Sequence, residues 1–180
     1  MRIIGGKYKS RSIVFNKKIK ARPTTDSAKE ALFNILENKT DLDEIEVLDL
    51  FAGTGSIAYE FMSRGAKKVT CIDQQLSAVK FINEQAEKWS MNIKTIKTNV
   101  FPYIAKESKT YDIIFADPPY DHEKAYEIPE IIFNRQLLKN EGWLILEHSK
   151  KLNFYKSANF IEQRTYSNVN FSFFNTKQNE

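Results

Sequence analysis

The chain has 180 residues, of which 42% are hydrophobic and 28% are charged, and it contains one cysteine. This size and composition fit one compact domain with a packed core and exclude intrinsic disorder. The single cysteine excludes an intrachain disulfide and a zinc site built from several cysteines. No apolar run approaches the ~20 residues of a membrane-spanning helix, and the first residues show no apolar targeting segment. A cytoplasmic protein that binds no membrane is therefore the default expectation.

The net charge of +4 is unevenly distributed along the chain. Residues 1–22 contain eight basic residues and no acidic one, so the rest of the chain carries a net negative charge. A basic arm on an acidic body favours a polyanionic partner, although a solvated surface hairpin would show the same charges. The candidate nucleic-acid-binding residues are Arg2, Lys7, Lys9, Arg11 and Arg22.

Residues 1–45 are interpreted as a basic N-terminal hairpin followed by a helix. A short hairpin is predicted over residues 3–15, because β-prone residues flank Gly5-Gly6. A helix is predicted to start at Asp26 or Ser27, with Ser27 and Glu30 forming a capping box. Residues 38–45 are polar and are predicted to form a loop.

From residue 46 onward, predicted strands and helices alternate. The strand at residues 111–116 is nearly all apolar, as expected of a strand that is buried on both faces. The alternation predicts an α/β fold with a mostly parallel sheet and helices on both faces. Ligands in such folds bind beyond the carboxyl ends of the strands. Strands are predicted at 47–51, 68–72, 93–98, 111–116, 143–147, 160–166 and 170–174, and helices at 56–63, 76–89 and 128–138.

A glycine turn follows the first of these strands. Gly53 and Gly55 allow the backbone to turn tightly and to approach a ligand closely, and their spacing to Ala58 fits the dinucleotide-binding fingerprint. Asp73 ends the next strand, where a carboxylate can accept both ribose hydroxyls of an adenosine moiety. These residues alone do not distinguish a nicotinamide cofactor from S-adenosylmethionine.

Asp49, four residues before Gly53, favours S-adenosylmethionine. A pyrophosphate gains little from a neighbouring acid, whereas S-adenosylmethionine carries an ammonium and a sulfonium group that attract a carboxylate. The unperturbed pKa of an aspartate, ~3.9, predicts that Asp49 is ionised. The alternative is that Asp49 only caps the turn. The candidate cofactor-binding residues at this stage are Asp49, Phe51, Gly53, Gly55 and Asp73.

The segment Asp117-Pro118-Pro119-Tyr120 directly follows the apolar strand at 111–116. The exocyclic amine of a nucleic-acid base is a poor nucleophile, because its lone pair is delocalised into the ring. The Asp117 carboxylate and the Pro118 carbonyl can accept its two hydrogens, the prolines stiffen the turn, and Tyr120 can stack on the base. These four residues predict amine methylation without a metal ion. An ordinary Pro-Pro turn is the alternative.

Several segments together resemble one known family. The chain is similar to the bacterial 16S rRNA guanine-N2 methyltransferases of the RsmD type over roughly residues 1–174, and the N-terminal segments are the most specific part of the likeness. The matching segments are Met1–Lys9, Arg22–Asp26, Lys29–Asn34, Val47–Gly53, Ser63–Ala66, Asp117–Tyr120, Glu147-His148 and Phe171–Phe174.

The resemblance implies a Rossmann-like class I methyltransferase fold, in which a seven-stranded sheet is mostly parallel and its last strand is antiparallel. It also implies S-adenosylmethionine as cofactor and the N2 amine of one guanine in 16S rRNA as methyl acceptor, with naked rRNA or an assembling small ribosomal subunit as partner of a monomeric enzyme. Residues 1–45 then face the RNA and residues 46–180 form the catalytic domain. The basic arm and the Asp117 turn are expected to face the same side.

The chain departs from this family after the third strand. Many relatives have an acid there, near the adenine ring, where this chain has Asn99 followed by Val100. Both are candidate cofactor-binding residues, since the amide oxygen of Asn99 can still accept a hydrogen bond.

Two other functions compete with this interpretation. A DNA adenine-N6 methyltransferase would use the same tetrapeptide and the same base extrusion, but such enzymes usually need a target-recognition region for which this chain has no room. A non-catalytic RNA-binding protein that retains the cofactor fold is disfavoured by the intact tetrapeptide. Arg22 and Thr24 fit a ligand contact and a rigid turn equally well, and His122 is interpreted as a solvated loop residue.

Overall fold

A computed structural model describes residues 1–14, 24–166 and 169–176 of the chain. Strands and helices alternate from residue 46, as the sequence pattern predicts. The strands are β1 (Glu46–Leu50), β2 (Lys68–Asp73), β3 (Ile93–Lys97), β4 (Tyr111–Ala116), β5 (Leu138–His148), β6 (Phe160–Tyr166) and β7 (Val169–Asn175). The helices are α1 (Asp26–Lys39), α2 (Ser56–Ser63), α3 (Leu76–Lys88), α4 (Val100–Lys106) and α5 (Ile128–Asn134).

The strands form one seven-stranded sheet in the order β3-β2-β1-β4-β5-β7-β6. The first five strands along the chain pair in parallel, whereas β7 lies between β5 and β6 and is antiparallel to both. The expected mostly parallel sheet with an antiparallel last strand is confirmed. Because β1, β2, β4 and β5 run in the same direction, their carboxyl ends meet at one edge, called here the carboxyl edge.

Helices cover both faces of the sheet. Successive residues of a strand point to opposite faces, so each strand contributes side chains to both helix layers. Residues of β1 show this alternation: Val47 packs in the cluster that contains α1, α2 and α3, while Leu48 packs in the cluster that contains α4 and α5. The strand β4 is buried on both faces, as its apolar sequence predicts. Within the described ranges, no helix is long and apolar enough to cross a membrane.

The N-terminal arm, described here over residues 1–14, packs against the face of the sheet that α1, α2 and α3 cover. Within residues 1–14, the strand pairing is one antiparallel bridge between Arg2 and Ser12, flanked by backbone hydrogen bonds. The buried Glu60 carboxylate of α2 accepts hydrogen bonds from the backbone N–H groups of Ile4 and Gly5 at 2.9 and 2.8 Å. The arm is therefore attached to α2 by its backbone. The end of the predicted hairpin, Phe15, lies outside the described residues.

Helix α1 starts at Asp26, as predicted, but its N-terminal cap differs from the prediction. Thr25 is the N-cap, and its hydroxyl accepts a hydrogen bond from the Ala28 N–H at 3.2 Å. The predicted capping box of Ser27 and Glu30 is therefore wrong. Two adjacent threonines precede the helix, and capping by the second leaves Ser27 inside the first turn.

The segments around α4 and β5 also differ from the prediction. Helix α4 was not expected, because a seven-residue helix that contains a proline carries a weak periodic signal. The helix α5 ends at Asn134 rather than near residue 138, because Gln136 adopts a positive φ of 54°. The strand β5 consequently begins at Leu138, five residues before its predicted start at 143.

Candidate active site

Acidic side chains gather at the carboxyl edge of the sheet. Asp49 lies in β1, Asp73 ends β2, Asp117 directly follows β4, and Glu147 lies near the end of β5. A cavity of about 30 Å³ opens here between Asp49, Asp117, Thr24 and the glycine turn. A larger cavity of about 240 Å³ lies at the opposite edge, between α5 and β5, and its lining contains no carboxyl group. The acidic cavity is therefore the candidate site.

The glycine turn between β1 and α2 has a backbone conformation that residues with a side chain rarely adopt. Gly53 and Gly55 have φ values of 54° and 76°, and a Cβ atom added at Gly55 would lie 2.8 Å from the Tyr59 ring. Phe51 also has a positive φ, 62°, although it is not a glycine. Such a conformation is uncommon for a bulky residue and is characteristic of binding sites.

Asp73 holds the glycine turn in place. Its Oδ2 accepts a hydrogen bond from the Gly53 N–H at 2.8 Å, and its Oδ1 accepts one from the Gln75 N–H at 2.7 Å. Each carboxylate oxygen has two lone pairs, so both oxygens can still accept hydrogens from a ligand. Asp73 thus connects the ends of β1 and β2 on the side where an adenosine ribose is expected.

Asp49 is almost completely buried and its Oδ2 has no hydrogen-bond partner among the described residues. Burial, reinforced by the negative charge of Asp73, raises the pKa of Asp49 to about 8, although the Ala58 N–H opposes the shift. In the protein without a ligand, burial therefore opposes the ionisation that the unperturbed pKa of Asp49 predicts. The cause is desolvation, which the sequence does not reveal.

Asp117 lines the same cavity as Asp49, which brings the predicted catalytic turn and the predicted cofactor turn together. The Asp117 N–H donates to the Leu50 carbonyl at 3.3 Å, so the turn is attached to the end of β1. Pro118 is buried, whereas Pro119 and Tyr120 are exposed. Burial, together with the charges of Glu147 and Asp49, raises the pKa of Asp117 well above its usual range.

Glu147 and Thr24 belong to this site as well, although sequence reasoning did not assign Glu147 a role. The Thr24 hydroxyl donates a hydrogen bond to Glu147 Oε2 at 3.0 Å, and both side chains are buried. Burial raises the pKa of Glu147 to about 7, against the effect of this hydrogen bond. The position of Glu147 in the sequence could have indicated this role, because Glu147, like Asp73 and Asp117, stands at the carboxyl end of a predicted parallel strand.

An aromatic cluster lies beside the catalytic turn. The His122 ring stacks on Phe101 with ring centroids 4.9 Å apart and an interplanar angle of 26°, and Phe51 contacts both rings edge-on. His122 lies in a loop, as predicted, but its ring is half-buried in this cluster rather than fully solvated. Phe101 was missed because its helix, α4, was not predicted.

Asn99 and Val100 lie at the start of α4, next to this cluster. Asn99 caps the helix, and its side-chain oxygen accepts a hydrogen bond from the Phe101 N–H at 3.0 Å. Val100 is buried. The carbonyl oxygen that was expected to face an adenine ring is thus already engaged, with one lone pair remaining.

The candidate RNA-binding residues of the arm lie mostly away from this cavity. The Lys7 N–H donates to the carbonyl of Ser63, the last residue of α2, at 2.7 Å. Since α2 starts at the carboxyl edge, its last residue lies towards the opposite edge. Lys7, Lys9 and Arg11 therefore do not share a side with Asp117, contrary to expectation.

The two ends of the arm occupy different places. Arg2 lies near the start of α1, where it forms an ion pair of 3.1 Å with the Asp26 carboxylate. The guanidinium of Arg11 instead lies 4.7 Å from the centre of the Tyr8 ring, which stacks on Trp89 at the end of α3. Arg22 lies outside the described residues.

Comparison with known proteins places the chain in a family. Residues 1–175 match the family described as conserved hypothetical protein 95. The chain is 34% identical to ribosomal RNA small subunit methyltransferase D of Buchnera aphidicola over 85% of this chain and 78% of that protein. It is 31% identical to the Escherichia coli protein of the same name over 80% of this chain and 69% of that one.

Solved structures share the fold. The Escherichia coli protein yhhF superposes with a TM-score of 0.87 at 23% identity, covering 99% of both chains. The Thermus thermophilus 16S rRNA N2 methyltransferase RsmC, solved with AdoMet and guanosine, superposes with a TM-score of 0.68 at 19% identity, covering 88% of this chain and 45% of that one. The fold is that of the class I methyltransferases, and the chain belongs to the RsmD family, the family of the ribosomal RNA small subunit methyltransferase D proteins.

Proposed function

We propose that this chain transfers a methyl group from S-adenosylmethionine to the exocyclic N2 amine of a guanine in 16S rRNA. The observation that carries the proposal is the shared cavity: Asp117 of the catalytic tetrapeptide and Asp49 beside the glycine turn line the same space. The relatives named as ribosomal RNA small subunit methyltransferase D support RNA of the small ribosomal subunit as the substrate.

The residues around the glycine turn fit S-adenosylmethionine. Asp49 offers a buried carboxyl oxygen without a partner among the described residues, and a cationic group placed beside it would favour its ionised form. Asp73 would accept the ribose hydroxyls, Phe51 and Gly53 line the cavity, and Gly55 allows the tight turn with its positive φ of 76°. When bound, S-adenosylmethionine supplies an electrophilic methyl group.

Asn99 and Val100 would lie against the adenine ring. Val100 offers an apolar surface, while the remaining lone pair of the Asn99 amide oxygen can accept one hydrogen. Phe101 and its stacking partner His122 would close this end of the site.

Asp117 and Pro118 would orient the amine. The Asp117 carboxylate and the Pro118 carbonyl would accept its two hydrogens, and Tyr120, whose side chain is 44% exposed, would stack on the guanine. Pro119 restricts the turn. The amine lone pair forms the new N–C bond as the methyl group leaves its sulfur, and the cationic nitrogen then loses one proton to the Asp117 carboxylate. No metal is needed for these steps.

The N-terminal extension, residues 1–45, would hold the RNA. Arg2 lies near the start of α1 and Lys7, Lys9 and Arg11 lie towards the opposite edge of the sheet, so a bound RNA would run along the arm and past α2. Arg22 completes the set of proposed contacts. We infer a monomer that acts in the cytoplasm, on rRNA or on an assembling small subunit.

A methyl-transfer assay tests the proposal. Purified protein is incubated with methyl-labelled S-adenosylmethionine and, separately, with unmethylated small ribosomal subunits, naked 16S rRNA and duplex DNA. We expect label in N2-methylguanine of the rRNA from at least one ribosomal substrate and none in the DNA. Label in DNA N6-methyladenine would replace the proposal with the competing enzyme, and the absence of transfer to any substrate would contradict catalysis.

A further inference from the structure

Asp117 and Glu147 occupy matching positions on neighbouring strands. In the parallel pair β4–β5, Phe115 is aligned with Ile145 and Ala116 with Leu146. The next position is Glu147 in β5 and, beside it, Asp117, the residue that directly follows β4. Residues two apart on a strand point to the same face, so Glu147 points to the face that carries Ile145, under α1. Asp117 lines the cavity on this side together with Phe115.

Thr24 connects this pair to the N-terminal extension. Its hydroxyl donates to Glu147 Oε2 at 3.0 Å, and its side chain also lines the cavity with Asp117 and Asp49. Thr24 stands two residues before α1, and its partner Glu147 belongs to β5. A hydrogen bond donated to a carboxylate stabilises the charged form.

No cation of the described residues compensates the two carboxyl groups. Among residues 1–14, 24–166 and 169–176, neither Asp117 nor Glu147 forms an ion pair. The other acids nearby are Asp49 on β1 and, beyond it, Asp73 on β2. On the remaining side, β7 presents Phe171 opposite Glu147.

The adjacent imidazole does not act as a counter-ion. His148 packs edge-on against Phe154 on the other face, with hydrogen bonds to Ser149 and Ser172. Burial lowers the pKa of His148, which favours its neutral form. Two carboxyl groups in such surroundings cannot both ionise easily, so their protonation is coupled.

We propose that Asp117 and Glu147 hold one proton between them at the start of the reaction, and that Glu147 acts as a positioning residue by setting the pH at which Asp117 is ionised. The inference rests on the proposed function, because it concerns the carboxylate that receives the amine hydrogens. With the proton on Glu147, Asp117 is the anion that accepts them. With the proton on Asp117, the amine loses its anionic acceptor and only a neutral carbonyl oxygen remains. The direction of the pKa shifts at both residues agrees with this coupling.

The test is the pH profile of single-turnover methylation of unmethylated small ribosomal subunits. Glu147→Gln keeps an oxygen for the Thr24 hydroxyl but removes the charge, so Asp117 should ionise at lower pH and the acidic midpoint of the profile should move to lower pH. Thr24→Val should move the midpoint in the same direction, because Glu147 then keeps its proton more firmly. Thr24→Ser, which retains the hydroxyl, and Glu130→Gln on the exposed side of α5 should leave the midpoint at the wild-type pH.

A carboxyl ¹³C NMR titration of the protein without ligand provides a readout that is independent of activity. The Asp117 resonance should titrate at lower pH in Glu147→Gln than in the wild type, and thermal unfolding monitors whether each variant is folded. If Glu147→Gln fails to fold, the difference in pH midpoint between Thr24→Val and Thr24→Ser tests the inference instead. If the variants and the wild type have the same Asp117 titration and the same pH profile, the inference is overturned, although methylation by the wild type would still support the proposed function. A wild type that is inactive on every RNA would instead contradict the proposed function.

Discussion

The Asp73 carboxylate accepts a hydrogen bond of 2.8 Å from the Gly53 N–H, and so joins the end of β2 to the turn that follows β1. The same carboxylate also accepts from the Gln75 N–H. Asp73 would therefore affect cofactor binding in two ways: it holds the glycine turn in place, and it would accept hydrogen bonds from the ribose.

Substitution of Asp73 should weaken S-adenosylmethionine binding. Hydrogen bonds to charged groups contribute roughly 1.5–3 kcal/mol each, so Asp73→Ala should lower the affinity tenfold or more, measured by isothermal titration calorimetry. Asp73→Asn retains one acceptor oxygen and should lose less. Wild-type affinity in Asp73→Ala would show that the ribose lies elsewhere.

Asp117 should affect the chemical step and leave cofactor binding nearly unchanged. Asp117→Ala removes the acceptor for the amine hydrogens, so the single-turnover rate should collapse while the calorimetric affinity for S-adenosylmethionine stays close to that of the wild type. Asp117→Asn keeps an acceptor but loses the charge that stabilises a cationic amine, and should also be slow. Either variant reacting at the wild-type rate would refute the assigned role.

Asp49 should make the protein without ligand less stable as the pH rises. Its folded pKa of about 8 lies above the ordinary value of 3.8, so between these values the folded state binds more protons than the unfolded state. The associated loss of unfolding free energy approaches about 1.4 kcal/mol per pH unit. Asp49→Asn does not titrate, and its stability relative to the wild type should increase from about pH 4 to 8. Urea unfolding at several pH values measures this difference, and a pH-independent difference would show that Asp49 is ionised when folded.

Lys7 and Lys9 should contribute to RNA binding without affecting the cofactor. Their reversal to glutamate should weaken binding to 16S rRNA and reduce the slope of log K against log salt by roughly 0.7–0.9 for each phosphate that the variant no longer binds. Arg11 is left in place because its guanidinium packs over both the Tyr8 and the Trp89 rings. The double reversal of Lys80 and Lys106, which are also exposed, is the charge-matched control. Equal slopes in the two variants would mean that the RNA is held elsewhere.

His122 should support the catalytic turn through its stacking on Phe101. We expect His122→Ala to reduce kcat/KM for the ribosomal substrate and His122→Phe to retain most of it, because a phenyl ring preserves the stacking. Steady-state kinetics at saturating S-adenosylmethionine provide the measurement. If the alanine and phenylalanine variants behave alike, the ring stacking has no part in the reaction.

The sequence by itself determined the α/β architecture and most of the candidate site. Alternating strand and helix patterns place Asp49, Asp73 and Asp117 at the ends of parallel strands, and parallel strands end at one edge. The glycine turn at Gly53 and Gly55 could also be predicted from the sequence, since a tight turn after a strand requires residues that tolerate a positive φ. These are local features or simple consequences of strand direction.

Only the tertiary structure decided the protonation and the partners of these groups. The raised pKa of Asp49 arises from burial between elements distant in sequence, and the hydrogen bond between Thr24 and Glu147 spans 123 residues. The structure also placed Lys7 near the end of α2, away from Asp117, because Glu60 holds the backbone of the arm. Desolvation and long-range contacts depend on how the elements pack, whereas periodicity and spacing report only on each element separately.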